Sequence, residues 1–535
     1  MLSASWLHII RGLNLPEKKQ PAARPQAPAI SGGLRRYLYL TAATTGAAIM
    51  VIEILGAKML SPYLGMSHFV WTAQIAVTLV ALACGYYIGG RLADRSQNLT
   101  LLYGAILAAA GYLAVIVLIC PKVAMKCVDL DLALGSLLAS ALLFFVPLAL
   151  LAMTAPFLSR AITSSVGDVG GNVGRLTAIG TFGSFLGTIG IGYVMLPLLP
   201  NSVSMIITAA LLTLICVGYF LFFNRRSAAA IVVGVCLLGT ELLIGRGSTG
   251  HKYKIAAERF AGNSLFGELR VLDHPSGTLR LFSNDFLNQG AYDPMHKQSR
   301  LTFTYLLGGL ARAYTTNIQD VLCIGLGAGL VPMELARNGA QVEVVEINPA
   351  IEPLAVRFFD MDPAKVRIFT DDGRRFLNRC QKQYDVVVLD AFLGDASPSH
   401  LMTREAFAGM KRVLRPGGVV VINTFCQLDR DRDFLCASLT KTLKAVFASV
   451  KMHHNADQNY YVATDRENIG FVREPKLDDV HPAIKADVQA AYLTVAESDP
   501  NHGRVLTDDF NPAEFYDAKN REVLRRRFAQ EAREW

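Results

Sequence analysis

Hydrophobic and polar positions divide this chain into two unlike halves. From Tyr37 to Ile244 the apolar runs are long and nearly unbroken. They fall at about 37–60, 68–90, 99–120, 131–156, 175–197, 202–223 and 228–244. Each is near the roughly 20 residues that a helix needs to cross a bilayer. After His251 the runs shorten and alternate with polar turns. Gly267–Asp273 and Thr278–Ser283 read as strands. From Thr302 onward strand and helix patterns alternate: Val321–Ile324, a helix through Arg337, Val342–Val345, a helix over 351–359, Val366–Phe369, Tyr384–Asp390 and Val419–Ile422. Such alternation predicts a mostly parallel, doubly wound sheet whose ligands bind at the carboxyl ends of the strands. The domain reading is a polar arm at 1–36, a transmembrane domain at 37–244 with six or seven helices, a small β subdomain at 251–300 and an α/β domain at 301–535.

Charge sharpens the division. The apolar block of 208 residues holds 15 charged side chains, and the other 327 residues hold 81. Disorder and a small disulfide scaffold are excluded. Lys and Arg are also unevenly placed. The arm carries Arg11, Lys18, Lys19, Arg24, Arg35 and Arg36, and alternate loops carry Arg91, Arg95, Arg160, Arg175, Arg225 and Arg226. The opposite loops hold Lys58, Lys122 and Lys126. Positive residues stay inside, so a cytoplasmic N-terminus in a bacterial-type inner membrane is expected. The start, Trp6 to Ile10, is too short an apolar run for a signal peptide core. Seven spans place the soluble block outside; six keep it in the cytoplasm, the side favoured by substrate supply. The segment 228–244 decides between them, and hydropathy favours seven. The net charge of +8 lies largely beside the spans, and no basic stripe interleaved with aromatics points to nucleic acid.

Inside the membrane block, Gly180, Gly183, Gly187, Gly190 and Gly192 form a small-residue stripe suited to close helix packing. Copies associating through this domain are compatible with that stripe. Glu53 is an intramembrane carboxylate, a functional candidate or a paired structural group. The nine cysteines include no zinc-like spacing. Cys323, Cys380, Cys426 and Cys436 read as buried thiols; Cys120 and Cys127 are placed to pair if their loop faces an oxidising compartment.

The soluble half carries the chemistry. A glycine turn, Gly325-Leu-Gly-Ala-Gly-Leu330, follows the first strand of the alternating series. Gly325, Gly327 and Gly329 let the backbone approach a ligand. Glu346 ends the next strand, where a carboxylate can accept both ribose hydroxyls. Asp371, Asp372 and Gly373 follow the third strand, where an aspartate can receive an adenine amino group while its neighbour caps the turn. Asp390 ends the fourth. The four features together specify a nucleoside-type ligand and no metal. GxxxxGK[ST] does not occur, so this is not a P-loop.

The set GLGAG, VVEIN, TDDGR, VVVLDAF and LRPGGVVVINTF resembles the class I S-adenosylmethionine (SAM) fold of spermidine synthases. LDAFLGDASPSHLMTREAF, LTDDFNP and the membrane motifs SPYLGMSHFVWTAQ, GYYIGGRLADR and MTAPFLSR are similar to its membrane-fused branch. The resemblance implies a Rossmann-like domain that takes SAM or decarboxylated SAM as substrate. It also implies cleavage of the γ-carbon–sulfur bond, with release of 5′-methylthioadenosine. Asp390 would hold and deprotonate an amine, and Gln289 would match the family's glutamine. The chain departs from the pattern at Ala328, where the family has Asp, and at Leu393, with Asp395 displaced. Tyr305-Leu-Leu307 replaces the family's YHE run. These losses thin the carboxylates that grip a diamine. They therefore favour SAM cleaved by its own carboxylate to homoserine lactone (a SAM lyase) beside polyamine aminopropyl transfer. A SAM-dependent methyltransferase and a non-catalytic sensor or transporter are the alternatives.

Weaker candidates complete the reading. Tyr292 and Asp293 are placed near the ligand's tail as catalytic residues. Asp508 and Asp509 close the pocket or form a turn. His400 reads as a solvated loop residue or as one lining the pocket mouth, His453 and His454 as surface residues, Tyr460-Tyr461-Val as a late strand, and the last 20 residues as an exposed helix.

Overall fold

In the computed structural model the described residues are 30–527, apart from 66–67, 97, 164–168, 225–226, 248–255, 286, 393–397, 430–431, 457, 519 and 525. Most of the polar arm, and with it Leu393 and Asp395, lies outside them.

The apolar runs form helices: α1 (Gly32–Leu64), α2 (His68–Arg95), α3 (Leu99–Cys127), α4 (Leu132–Ala152), α5 (Thr154–Ile162), α6 (Val169–Ile189), α7 (Leu196–Leu198), α8 (Asn201–Phe222) and α9 (Ala228–Gly247). A six-residue π-helical stretch, Gly190–Met195, joins α6 to α7. Counting α4 with α5 and α6 with α7, seven helical segments are long and apolar enough to cross a membrane. The glycine stripe packs α6 on α1: a Cβ at Gly183 or Gly187 would meet the α1 backbone at Ala43 or Ala47. The seventh segment is a full helix beside α8. Gly245 faces Ile206 and Gly234 faces Val217, the spacing of an antiparallel pair. Cys120 and Cys127 are both buried free thiols within α3, so the loop that would have let them pair does not form there. Glu53 is half-buried on α1.

The soluble half begins with five antiparallel strands, β1 (Ala257–Ser264), β2 (Gly267–Asp273), β3 (Arg280–Asn284), β4 (Leu287–Asp293) and β5 (Gln298–Ser299). Alternation of strand and helix follows: α10 (Thr302–Tyr314), β6 (Asp320–Ile324), α11 (Leu330–Arg337), β7 (Gln341–Glu346), α12 (Ile351–Phe358), β8 (Val366–Thr370), α13 (Gly373–Arg379) and β9 (Tyr384–Leu389). The chain continues with α14 (Arg404–Arg412), β10 (Leu414–Phe425), α15 (Phe434–Lys444), β11 (Ser449–Asn455), β12 (Gln458–Thr464), α16 (Lys485–Leu493), β13 (Val495–Ala496) and α17 (Ala513–Tyr516).

Eight of these strands make one mixed sheet in the order β13-β11-β12-β10-β9-β6-β7-β8. The five from β10 to β8 are parallel, and β12, β11 and β13 add an antiparallel edge. The central strands are apolar on both faces because helices cover both. Chain order reverses between β6 and β9, so the crevice at their carboxyl ends is a topological switch point. His453 and Tyr460 lie inside this core, not on its surface. The His453 ring contacts the Tyr314 hydroxyl at 2.9 Å, and burial lowers its pKa to about 4.

The two halves touch at one end of the helical bundle. Lys58 Nζ donates to the Leu265 carbonyl (3.2 Å), and Asn263 Nδ2 to that of Leu199 (3.0 Å). The segment expected as an exposed C-terminal helix docks instead: Arg526 Nε donates to the Val128 carbonyl at 2.9 Å, and Glu522 accepts from Leu132 N. Both groups satisfy helix-end atoms of α3 and α4 that have no partner within their own helices.

Candidate active site

The crevice between β6 and β9 is lined by Gly325, Leu326, Gly327, Glu346, Asp372, Gly373, Asp390, Asn423 and Gln458, with Asn288 and Gln289 reaching in from β4. Its apolar wall includes Phe303, Ile351, Phe392, Pro398 and Phe425. Gly325 follows β6 directly. Its φ is +104°, and a Cβ there would lie 2.3 Å from the Asp390 carbonyl oxygen. Only glycine fits both demands. Gly329 also has positive φ but does not line the crevice; it opens α11, where a Cβ would meet Met361.

Glu346 is held for acceptance at both oxygens. Leu326 N donates to Oε2 (2.9 Å) and Asn348 N to Oε1 (2.8 Å). Burial raises its pKa, and these backbone N–H groups counter that in part. Asp372 divides its oxygens. Oδ1 caps α13 by accepting from Arg375 N (2.9 Å), while Oδ2 faces His400 Nε2 at 3.0 Å. Burial alone would raise its pKa, but the Arg375 N–H and His400 outweigh it and hold the carboxyl below its usual range. Asp371 points elsewhere, pairing with Arg375 at 3.2 Å. Of the two neighbouring aspartates, Asp372 is both cap and cavity residue.

Asp390 stands at the carboxyl end of β9. Burial pushes its pKa up to about 6, and the Asn423 amide, donating at 2.9 Å, pulls it back. Gln289 Oε1 and Asn423 Oδ1 are buried with no protein partner. Orphaned acceptors of this kind in a cavity are open to a donor from a ligand or from water. Together with the glycine turn and Glu346, they fit a polar nucleoside.

Tyr292 and Asp293 are not brought to this crevice. The Tyr292 hydroxyl donates to Asp360 Oδ2 at 2.6 Å. Asp293 is buried beside His296 Nδ1 (3.0 Å) and His481 Nε2 (3.2 Å). These three could together approach a cation. However, Ala483 N donates to His481 Nδ1 (3.1 Å), which puts the ring's proton on Nε2, facing Asp293. The cluster is arranged as a hydrogen-bonded clamp. Position along β4 explains the separation: Gln289, at the irregularity in the β3–β4 pairing, turns to the crevice, while Tyr292 and Asp293 at the strand's far end pair with Ser299 and Gln298 of β5.

Ala328 also lies outside the lining. It is buried under β4, where a Cβ on Gly290 would come within 2.6 Å of its methyl. Leu306 and Leu307 are fully buried in the core, and Phe303 is the α10 residue that reaches the cavity. His400 is exposed, as expected of a loop residue, and also lines the cavity mouth. Asn423, Gln458, Phe392 and Phe425 were not singled out from the sequence. Asn423 sits inside LRPGGVVVINTF, and its signal is a polar side chain at the end of an otherwise apolar buried strand. Asp508 lies behind the cavity and braces its loop. Thr403 Oγ1 donates to it at 2.6 Å and Arg374 Nη2 at 2.8 Å, and Asn511 Nδ2 reaches the Ser399 carbonyl at 2.9 Å.

The switch-point crevice brings Glu346, Asp372 and Asp390, the carboxylates expected at the strand ends, into one cavity, an arrangement similar to a class I SAM-type domain. More narrowly, the likeness is to spermidine synthases: residues 302–457 match the spermine/spermidine synthase domain. A polyamine aminopropyltransferase of Vibrio vulnificus is 28% identical over 301 residues, 52% of this chain and 95% of that protein. An N-terminal histidine N-methyltransferase of Emericella nidulans is 32% identical over 143 residues, 26% of this chain and 25% of that protein. The crystal structure of spermidine synthase from Thermotoga maritima aligns with a TM-score of 0.35 and 15% identity, covering 46% of this chain and 88% of that one.

Proposed function

We propose that this protein is a membrane-anchored enzyme that binds a SAM-type sulfonium nucleoside and cleaves its γ-carbon–sulfur bond, releasing 5′-methylthioadenosine. The observation that carries this reading is Asp390. It is a strand-end carboxylate held by Asn423 at the far end of a crevice whose other carboxylates, Glu346 and Asp372, suit ribose and adenine. The similarity to polyamine aminopropyltransferases supports the same bond being broken. The seven long apolar helical segments support the anchor, with the arginine-bearing loops on the cytoplasmic side.

Two nucleophiles satisfy this chemistry. In aminopropyl transfer an amine nitrogen forms the new bond to the γ-carbon, and the C–S electron pair returns to sulfur as a neutral thioether. The nitrogen's proton passes to Asp390. A free amine has a pKa near 10, so a base is required at neutral pH. In the lyase the substrate's own carboxylate oxygen forms the bond and closes homoserine lactone. No base is needed, and Asp390 holds the ammonium. Leu393, where the resemblance implies a second aspartate, and Ala328, buried beneath β4, favour the lyase or a monoamine acceptor over a diamine. The histidine methyltransferase likeness supports the second reading, methyl transfer.

Product analysis decides among them. Full-length protein in detergent receives SAM or decarboxylated SAM, each with and without putrescine, and the products are resolved by mass spectrometry. Methylthioadenosine with homoserine lactone from SAM alone establishes the lyase. Methylthioadenosine only with decarboxylated SAM and amine establishes aminopropyl transfer. S-adenosylhomocysteine moves the assignment to methyl transfer, and absence of any product rejects catalysis.

A further inference from the structure

We infer that the soluble domain faces the non-cytoplasmic side of the membrane, in a compartment oxidising enough to close a disulfide between Cys426 and Cys436. The inference rests on the membrane reading above and is independent of which reaction the crevice performs.

Three observations converge. The first is parity. The short segment that left the count open is α9, which runs antiparallel to α8 along its length, with Gly245 beside Ile206 and Gly234 beside Val217. It completes a seventh crossing, so the chain leaves the bundle on the face opposite its start.

The second is the sorting of helix ends. On the starting face Arg35 Nη2 donates to Asn172 at 2.9 Å, tying the beginnings of α1 and α6 together. Asn224 donates to Thr100 at 2.8 Å, tying the end of α8 to the start of α3. The soluble domain instead holds the end of α1, the α3–α4 turn and the α7–α8 turn, through Lys58, Arg526 and Asn263. Among the described residues Arg35, Arg36, Arg91, Arg95, Arg160 and Arg175 belong to the starting face. The domain's face has three lysines, and one of these, Lys58, is taken up in the contact with the domain. Positive residues mark the cytoplasmic loops, so the domain faces away from them.

The third is the cysteine pair. Cys426 follows the last residue of β10, and Cys436 lies in the first turn of α15; the two are joined as a disulfide. This corrects the expectation of free thiols at both positions. Persistent disulfides belong to oxidising compartments and are rare in the cytosol. Closing this one removes two electrons and two protons, which a disulfide-exchange oxidant of that compartment accepts. The bond secures the end of β10 one residue beyond Phe425 and three beyond Asn423, the strand end that serves Asp390. A charged nucleoside does not cross a bilayer unaided, so a transport step must supply the substrate to this side.

The test uses the full chain in cells with an intact plasma membrane. Met295, 73% exposed on the soluble domain, and Asp94, exposed on the starting face, are each replaced by cysteine. A membrane-impermeant maleimide is applied before and after permeabilisation, with the parent protein as background. Met295→Cys is expected to label before permeabilisation and Asp94→Cys only after it. In acid-quenched cells, Cys426 and Cys436 are expected to resist alkylation until reductant is added. Asp94→Cys labelling first overturns the orientation, as does equal labelling of both. Alkylation of Cys426 and Cys436 without reductant overturns the compartment. Recovery of the chain in the soluble fraction would reject the membrane reading itself, a separate outcome.

Discussion

The side-chain amide of Asn423 donates to Asp390 Oδ1 across 2.9 Å, joining the ends of neighbouring strands β10 and β9 at one carboxylate. The bond stabilises the charged form of a group that burial would keep neutral. It therefore sets both where Asp390 points and the pH at which it ionises.

Replacing Asn423 with Leu removes that donor. The acid limb of the pH–rate profile should move upward by about one pH unit, because a lost hydrogen bond to the ionised form raises a carboxyl's pKa. Activity at pH 7 should fall by about twofold, because a carboxyl moved from about 6 to about 7 is half rather than nine-tenths ionised there. Methylthioadenosine release measured from pH 5 to 9 checks this; an unmoved limb would separate Asn423 from the titration.

Asp390→Asn has two opposite consequences. Turnover should drop by about 10²–10⁴ if the residue is the base for an amine. Stability should change in the other direction. The folded pKa, about 6, is raised above the ordinary value of 3.8, so the group's contribution is fully present below pH 4 and is lost as pH rises through 6. At pH 7.5 the Asn variant should therefore melt higher than the parent, and at pH 4 the difference should vanish. Thermal unfolding in one detergent at the two pH values measures it.

Gly325→Ala and Gly327→Ala should separate cleanly. At Gly325 the added methyl would meet the Asp390 carbonyl oxygen, so nucleoside binding should be lost or the chain should fail to fold. At Gly327 the nearest atom is 3.6 Å away, and the cost is the positive φ of +52° alone, about 1–2 kcal/mol. That variant should fold and bind more weakly by calorimetry.

Ala328→Asp restores the residue type that spermidine synthases carry in this loop. Here the position is buried beneath Gly290 rather than open to the crevice. An unpaired carboxylate in that place should lower the melting temperature without raising activity toward putrescine. A gain in putrescine use would show that β4 moves aside.

Asp508→Ala should loosen the loop that carries Pro398 and His400, since Thr403 and Arg374 both donate to it. The expected result is a several-fold rise in KM with a smaller change in kcat. An equal fall in both would place Asp508 closer to the reacting atoms.

The strand-end carboxylates were legible in the sequence because period, turn and residue type agree there. Glu346, Asp372 and Asp390 each follow an apolar run, and a doubly wound sheet brings such ends together. Asn423 was less visible because nothing local distinguishes it; its role arises from β10 lying beside β9. Tyr292 and Asp293 misled for the converse reason. They are close in sequence to Gln289, but the strand's direction carries them past the rim. His453 looked like a surface residue because a pair of histidines is polar, yet a sheet buried on both faces admits a histidine that meets Tyr314. The disulfide was hidden as well, since ten residues of separation say nothing until α15 folds back on β10.

The docking of Glu522 and Arg526 on the α3–α4 turn bears on how the soluble half can be handled. Cut free of the helices, it would present Phe515, Glu522 and Arg526 to water with nothing to grip, and α3 and α4 would lose the groups that finish their ends. The same segment begins at Asp508 and Asn511, which brace the cavity loop. Slack introduced where this segment meets the helices would therefore reach the mouth of the cavity. An inactive fragment of residues 251–535 would testify to a severed brace before it said anything about the chemistry.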